Sequence, residues 1–159
     1  MPRKQNIINL KTEKEGIQIL KDLNSKFTVP STLERKQIYQ RFSIDYSKYA
    51  RSIDGLILNV DSIEQIKTLD DFQFIEIKTT KSKSVTELPY GVFFGFTQNE
   101  EELFGRPPNY RLCIVHVLLK EYCLVSFEEY LELIQNKRVQ FQINFKRKPH
   151  AVKPIKYEH

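Results

Sequence analysis

Three charged residues stand beside apolar segments of the chain, and their types suit metal-assisted chemistry. Asp54 begins the segment DGLIL, and Glu76 and Lys78 lie within the segment FQFIEIKTT. Two carboxylates provide the hard oxygen ligands that Mg²⁺ prefers, and they leave coordination sites for water and a phosphate oxygen. A nearby ammonium group stabilises the negative charge that develops on a reacting phosphate. The pattern predicts a Mg²⁺-dependent site that hydrolyses phosphodiester bonds, with the backbone carbonyl of Ile77 as a further metal ligand.

Both segments are predicted to be β-strands, over residues 52–60 and 72–79. Side chains alternate between the two faces of a strand, so Glu76 and Lys78 continue a face that begins with two phenylalanines. Asp54 similarly lies at the rim of an apolar face. If the two strands are neighbours, the three charges meet at one edge of the sheet. A structural ion pair between Glu76 and Lys78 is the alternative, because charges rarely enter such apolar faces without a partner.

The rest of the chain alternates helical and extended patterns. Helices are predicted where Ser or Thr precedes an apolar periodicity, and further strands where apolar runs lie between turns. This order predicts an α/β fold with a mixed central β-sheet flanked by helices on both sides. It fits a single domain of residues 1–159, with a core over about 12–135 and a basic tail over 146–159. The helices are expected at 12–23, 31–42, 97–104 and 127–134, and the further strands at 90–96, 110–118, 122–125 and 139–145.

Composition narrows the class of partner. The chain has 25 Lys and Arg against 20 Asp and Glu, a net charge of +5, which favours a polyanionic partner such as nucleic acid. No apolar run approaches the ~20 residues that span a bilayer, and the N-terminus lacks the apolar stretch of a secretory signal. An intracellular, cytoplasmic protein without a membrane partner is therefore expected. Cys113 and Cys123 have apolar neighbours and are predicted to be buried free thiols without a zinc-ligand spacing.

The charged pattern resembles that of the PD-(D/E)XK nuclease superfamily. Asp54 corresponds to its first acidic residue, with Ile53 where a proline often stands, and Glu76 and Lys78 correspond to its second acid and its lysine. The resemblance covers about residues 53–117. It implies a restriction-endonuclease-like fold and a Mg²⁺-dependent endonuclease that cleaves double-stranded DNA at specific sites, of restriction or homing type. A homodimer or higher homo-oligomer is expected, because two strands must be cut.

The resemblance also implies accessory residues and leaves alternatives open. The first helix of the family often supplies an acidic residue near the metals, for which Glu13 and Glu15 are candidates, with solvated helix carboxylates as the alternative. A structure-specific repair or junction nuclease and a non-catalytic DNA-binding module with the same fold remain competing interpretations. The candidates for DNA contact, each with a structural alternative as a loop, cap or exposed helix residue, are Lys81, Lys83, Gln98, Asn99, Arg35 and Arg51.

Overall fold

A five-stranded mixed sheet forms the centre of the fold. The computed structural model describes residues 4–141 and residue 143. The strands lie side by side in chain order, and the central pair β3 and β4 is parallel while all other neighbours are antiparallel. The predicted α/β class with a mixed, helix-flanked sheet is confirmed. The strands are β1 (Phe27–Thr28), β2 (Gly55–Leu58), β3 (Phe72–Thr80), β4 (Tyr110–His116) and β5 (Glu121–Val125).

The helices begin where the sequence supplies caps. Three of them start at a capping box, in which a hydroxyl accepts the N–H three residues on and a glutamate there accepts the N–H of the cap. The caps are Ser31, Thr97 and Ser126, as the sequence pattern predicts. None of the helices within residues 4–141 combines the length and apolar character needed to cross a lipid bilayer. The helices are α1 (Lys4–Leu23), α2 (Thr32–Arg41), α3 (Tyr46–Tyr49), α4 (Gln98–Phe104) and α5 (Phe127–Leu133).

The two faces of the sheet carry separate apolar clusters. On one face α1 packs Ile19 and Leu20 against β-strand residues that include Ile75 and Ile77. On the other face the remaining helices pack on an aromatic layer. Both faces of β3 are therefore covered, which explains why this strand is apolar on each side before its charged residues appear. The aromatic layer contains Tyr39, Tyr49, Phe72, Phe74, Phe104 and Tyr110, each at most 1% exposed.

The first helix and the first long strand differ from their predicted bounds. The helix begins at Lys4 rather than Thr12, because residues 4–11 contain no glycine or proline to stop it. Thr12 and Glu15 therefore lie inside the helix instead of capping it. The strand expected at 52–60 is restricted to Gly55–Leu58, since only these residues pair with β3 through the ladder.

Two predicted strands are wrong over the residues described. Residues 92–96 are irregular, and the chain turns just before them at Gly91, whose φ is +75°. Their aromatic side chains pack on the helical layer instead of pairing in the sheet, with the Phe96 ring 6.0 Å from that of Phe104. Of the strand expected at 139–145, residues 139–141 and 143 have no regular structure, and their apolar side chains are exposed. The rest of that segment lies outside the described residues.

Burial of the two cysteines is predicted from their apolar neighbours, and it is complete for Cys113 and partial for Cys123. Cys113 lies on β4 and is fully buried, and Cys123 lies on β5 and is half-buried. Both are free thiols, as expected. Burial raises the pKa of Cys123 to about 11, so this thiol stays protonated and unreactive at neutral pH.

Candidate functional site

The pairing of β2 with β3 brings Asp54 close to Glu76. Gly55, the first residue of β2, pairs with Ile75 in the antiparallel ladder, so Asp54 comes directly before the ladder and Glu76 directly after it on β3. The amide of Asp54 donates to the carbonyl of Ile75 at 2.8 Å, which holds Asp54 against β3 although it lies outside the ladder. The charge of Asp54 helps to raise the pKa of Glu76, as a neighbouring carboxylate does. The condition that the two strands be neighbours is met.

The irregular segment that leads into Asp54 is held by buried side-chain donors. The Arg35 guanidinium donates to the carbonyls of Ala50 at 2.8 Å and Ile53 at 2.9 Å. Two tyrosine hydroxyls donate to further carbonyls, that of Tyr39 to Tyr49 at 2.9 Å and that of Tyr110 to Ser52. These bonds satisfy backbone groups that no strand can pair, and they fix the approach to the site. Tyr39 and Tyr49 are thus core residues.

The ammonium group of Lys78 lies between two carboxylates. Its Nζ is 2.7 Å from Glu76 Oε1 and 3.3 Å from Glu100 Oε2. The same nitrogen lies 5.1 Å from the centre of the Phe96 ring. Only 15% of the Lys78 side chain and 4% of the Glu76 side chain are exposed, so water screens these charges weakly. The ion pair between Glu76 and Lys78, which is the structural alternative to a metal site, is present, together with a second carboxylate.

One oxygen of Glu76 lacks a partner. Glu76 Oε1 accepts from Lys78, whereas Oε2 is buried and receives no hydrogen bond from the described residues. A buried polar atom without a partner costs about 1–3 kcal/mol, and more if it carries charge. The site therefore favours something that binds this oxygen, either a proton or a cation.

Burial and the neighbouring charges shift the pKa values of Asp54 and Glu76. Burial is the largest cause of the raised pKa of Glu76, and the negative charges of Asp54 and Glu100 add to it against the opposing effect of Lys78. Burial likewise raises the pKa of Asp54 to about 6, although the hydrogen bond from Ile77 lowers it. Burial lowers the pKa of Lys78, but Glu76 and Glu100 outweigh it and the net shift is upward. Because the pKa of Glu76 is raised to about 9, Glu76 holds a proton at neutral pH, whereas Asp54 does so only below about pH 6. The lysine stays charged.

The donor set fits a hard divalent cation with few protein ligands. Within residues 4–141 and 143, no group of three or more His, Cys, Asp or Glu side chains forms a metal-binding cluster. Mg²⁺, however, usually binds one or two carboxylates and keeps several waters. Glu76 Oε2 is a buried oxygen without a hydrogen-bond partner among the described residues, and the carboxylate of Asp54 is close enough to raise the pKa of Glu76. These two residues would hold the cation.

The backbone carbonyl of Ile77 belongs to the same edge. The Ile77 amide donates to Asp54 Oδ2 at 2.7 Å, which shows that the peptide groups of this residue face the β2 side of β3. The N–H and C=O of one strand residue point toward the same neighbouring strand. Because β2 begins only at Gly55, the Ile77 carbonyl lies beyond its ladder. This geometry is consistent with the prediction that the Ile77 carbonyl is a metal ligand beside the two acids.

The two accessory acids on α1 differ in their surroundings. Glu15 Oε2 lies 2.6 Å from Lys81 Nζ, so it forms a surface ion pair. Glu13 is exposed, and its charge raises the pKa of Asp54, which places it within electrostatic reach of the site. Gly16 lets α1 approach β3 closely, since a Cβ there would lie 2.6 Å from Thr79 Cγ2. Of the two acids, Glu13 is the one whose charge acts on Asp54.

The candidates for DNA contact fall into two groups. Three have partners within the fold: Arg35 binds backbone carbonyls, Lys81 binds Glu15, and Asn99 Nδ2 donates to the carbonyl of Lys48 at 3.0 Å. These contacts give them structural roles. The other three, Lys83, Gln98 and Arg51, are exposed.

Arg51 also lines a cleft between the start of α4 and the loop that follows α3. The cleft encloses about 300 Å³, and Ser52 and Thr97 contribute to its walls. Ser52 lies two residues before Asp54, and Thr97 caps the helix that carries Glu100. The cleft thus borders the candidate site.

Glu100 is the site residue that sequence reasoning missed. It stands at the third position of α4, where its side chain completes the capping box of Thr97. A glutamate in that pattern is usually explained by the cap alone. The signal that could have found it is the position of the cap beside Phe96, directly before a helix that packs on β4, the neighbour of the charged strand.

Comparisons of the chain with protein-family models, with curated proteins and with solved structures found no match. The chemistry of the site therefore rests on the geometry of Asp54, Glu76 and Lys78 themselves.

Proposed function

We propose that the chain is a Mg²⁺-dependent endodeoxyribonuclease that hydrolyses phosphodiester bonds in double-stranded DNA, with a restriction-endonuclease-like fold of the PD-(D/E)XK type. One observation carries the proposal. Asp54 Oδ2 accepts from the Ile77 amide at 2.7 Å, directly after Glu76, and the Lys78 ammonium lies 2.7 Å from Glu76 in a largely buried site. This combination pairs two cation ligands with a positive charge that is able to meet a phosphate.

Each residue has a separate role in this chemistry. Asp54 and Glu76 hold the cation, and the carbonyl of Ile77 completes the protein ligands. When bound, Mg²⁺ supplies polarisation of the phosphate and a lowered pKa of coordinated water. Lys78 carries a fixed positive charge in a poorly screened position, where it stabilises negative charge on the phosphate oxygens. The tight Asp54–Ile77 hydrogen bond keeps the first acid oriented without needing a side-chain partner.

A purely structural ion pair explains the site less well. An ion pair that only stabilised the fold would need one carboxylate and would leave no buried oxygen without a partner. Here Lys78 contacts two carboxylates, Asp54 adds a third nearby, and Glu76 Oε2 accepts no hydrogen bond from the described residues. When all three acids are ionised, they leave an excess of two negative charges over the one ammonium group, which one divalent cation balances. The site is therefore better explained by function than by stability.

DNA is the proposed substrate because the chain is positively charged and two of the basic candidates for DNA contact are exposed. The net charge of +5 attracts a polyanion, and the exposed candidates are Lys83 and Arg51. The described residues form one such site, whereas a duplex has two strands. We therefore propose a homodimer or higher homo-oligomer as the active form.

Incubation of supercoiled plasmid with the purified protein and Mg²⁺ tests the proposal. We expect conversion to linear DNA that EDTA blocks, loss of cleavage in D54N, and normal cleavage in D22N, which changes an exposed aspartate of α1. Discrete fragments with uniform mapped ends would support the site-specific form. Cleavage of branched DNA alone would favour a repair or junction nuclease. DNA binding with no cleavage under any of these conditions would contradict the proposal in favour of a non-catalytic module.

A further inference from the structure

Glu100 is a second carboxylate beside Lys78, and the chemistry proposed above gives it no role. Its Oε2 lies 3.3 Å from the Lys78 ammonium nitrogen, and only 12% of its side chain is exposed. A buried carboxylate is costly unless its charge is matched. Glu100 thus lies next to a lysine that already has Glu76 as a partner.

The orientation of Glu100 does not depend on Lys78 or Glu76. Its Oε2 accepts the N–H of Thr97 at 2.5 Å, and its own N–H donates to Thr97 Oγ1 at 3.2 Å. The helix α4 is anchored on the sheet by Leu103 and Phe104, which are buried. A change in the state of Glu76 therefore leaves the carboxylate of Glu100 where it is.

We propose that Glu100 is a positioning residue that holds the ammonium group of Lys78 in the site while Glu76 binds a divalent cation. The inference rests on the proposed function, because it assigns Glu76 to the cation. Once that cation neutralises Glu76, the attraction between Glu76 and Lys78 falls, and the cation repels the ammonium group. Glu100 supplies the negative charge that remains. The Phe96 ring, 5.1 Å from Nζ, favours the same position for the ammonium group.

The neighbouring carboxylates on α4 have other partners. Glu101 pairs with Lys137 at 2.5 Å and accepts from the Tyr130 hydroxyl at 3.1 Å. Glu102 pairs with Lys48 at 2.7 Å. Glu100 is thus the member of this acidic run that contacts Lys78, and Glu101 offers a matched control on the same helix.

A first test needs neither cation nor DNA. The E76Q change fixes residue 76 in an uncharged form, so that its attraction for Lys78 falls as it would with a cation bound to Glu76. The ¹H–¹⁵N signal of the Lys78 ammonium group then reports whether that group is held. A free ammonium group exchanges its protons with water too fast to give such a signal. We expect the signal in E76Q and in E76Q/E101Q, and its loss in E76Q/E100Q. A signal that persists in E76Q/E100Q, or that is already absent from E76Q, overturns the inference.

The kinetics of DNA cleavage by E100Q provide a second test, and a different result contradicts the inference in this case. E100Q keeps the oxygen that accepts from Thr97, so the cap survives while the charge is lost. We expect E100Q to lower kcat about tenfold to a hundredfold, as misplacement of a reacting group does, with KM for DNA and affinity for Ca²⁺ unchanged. E101Q should behave as the wild type. A loss of Ca²⁺ affinity of about tenfold or more in E100Q would make Glu100 a cation ligand and overturn the positioning role.

The two tests separate this inference from the proposed function. If the wild-type protein shows no Mg²⁺-dependent cleavage but the ammonium signals behave as expected, the nuclease proposal fails and the hold of Glu100 on Lys78 stands. If cleavage is present and E100Q retains the wild-type kcat, the nuclease proposal stands and the positioning role fails.

Discussion

The carboxylate of Asp54 is bound by the backbone amide of Ile77, with 2.7 Å between Oδ2 and the amide nitrogen. Ile77 lies between Glu76 and Lys78, so the strand that carries two of the charges also fixes the third. The contact exists only because Gly55 pairs with Ile75 and leaves Asp54 one position beyond the ladder. A shift of register by one residue would move Asp54 to the opposite face of the sheet and separate the acids.

This register depends on a close approach at Gly55. A Cβ there would lie 2.5 Å from the Phe27 ring and 2.8 Å from the carbonyl oxygen of Thr28. We expect G55A to destabilise the fold by about 1–3 kcal/mol, because the backbone of β1 has to move. The measurement is thermal unfolding, where each kcal/mol corresponds to about 2–4 °C at this chain length. G95A is the control, since a Cβ at Gly95 meets nothing within 4 Å; equal melting temperatures for the two variants would contradict the prediction.

The raised pKa of Glu76 predicts that this residue lowers stability at neutral and alkaline pH. Its ordinary pKa is 4.5, so the unfolded chain loses this proton first as the pH rises, and the folded state loses stability up to its own higher pKa. Without divalent cations at about pH 8, E76Q should therefore melt higher than the wild type by several degrees, given a cost of ~1–3 kcal/mol for a buried unpartnered group.

The advantage of E76Q should disappear at about pH 4, where Glu76 is protonated in both states. E132Q, which changes an exposed glutamate of α5, should melt as the wild type does at each pH. If E76Q melts lower than the wild type at about pH 8, the ion pair with Lys78 is a net source of stability, and the functional interpretation of Glu76 loses its main support.

Cation binding should strengthen with pH. Burial raises the pKa of Asp54 to about 6, and a cation must displace the proton that this acid holds below that pH. Titration calorimetry with Ca²⁺ should therefore show an affinity that rises about tenfold or more between pH ~5 and pH ~7.5, together with proton release at the lower pH. An affinity that does not change over this range would mean that Asp54 is no ligand.

The two acids on α1 should contribute unequally. Glu13 acts on Asp54 through its charge, whereas Glu15 is 2.6 Å from Lys81. We expect E13Q to weaken Ca²⁺ affinity by about twofold to fivefold, because an exposed charge is largely screened by water. E15Q should leave the affinity unchanged. The prediction fails if E15Q has the larger effect of the two.

The parts of the fold that follow from local patterns could be predicted from the sequence. The strand 72–80 and the helices that begin at Ser31, Thr97 and Ser126 depend on alternation and on caps, and both are visible within a few residues. The prediction of a strand at 90–96 is wrong because the alternating aromatic residues of this segment pack against helices instead of lying in the sheet. Phe94 and Phe96 pack on the helical layer, and no sequence rule distinguishes that burial from burial in a sheet.

The site itself was only partly predictable. The meeting of Asp54 with Glu76 could be expected from two apolar strands that end in charges, but it required the strands to be neighbours in the correct register. Glu100 lies 22 positions after Lys78, beyond the end of β3, a segment of irregular and turning chain, and a helix start. Its contact with the ammonium group is a product of tertiary packing, which the capping pattern of Thr97 conceals.

The most direct test of a metal-dependent phosphodiesterase site is the rate of plasmid cleavage by K78A beside that of the wild type in Mg²⁺. DNA binding by both proteins is measured in parallel in Ca²⁺, to separate chemistry from affinity. The site geometry predicts that K78A loses cleavage by about a hundredfold or more, as removal of a group that stabilises transition-state charge does, while its affinity for DNA stays within about threefold. Equal cleavage rates for K78A and the wild type would contradict the assignment.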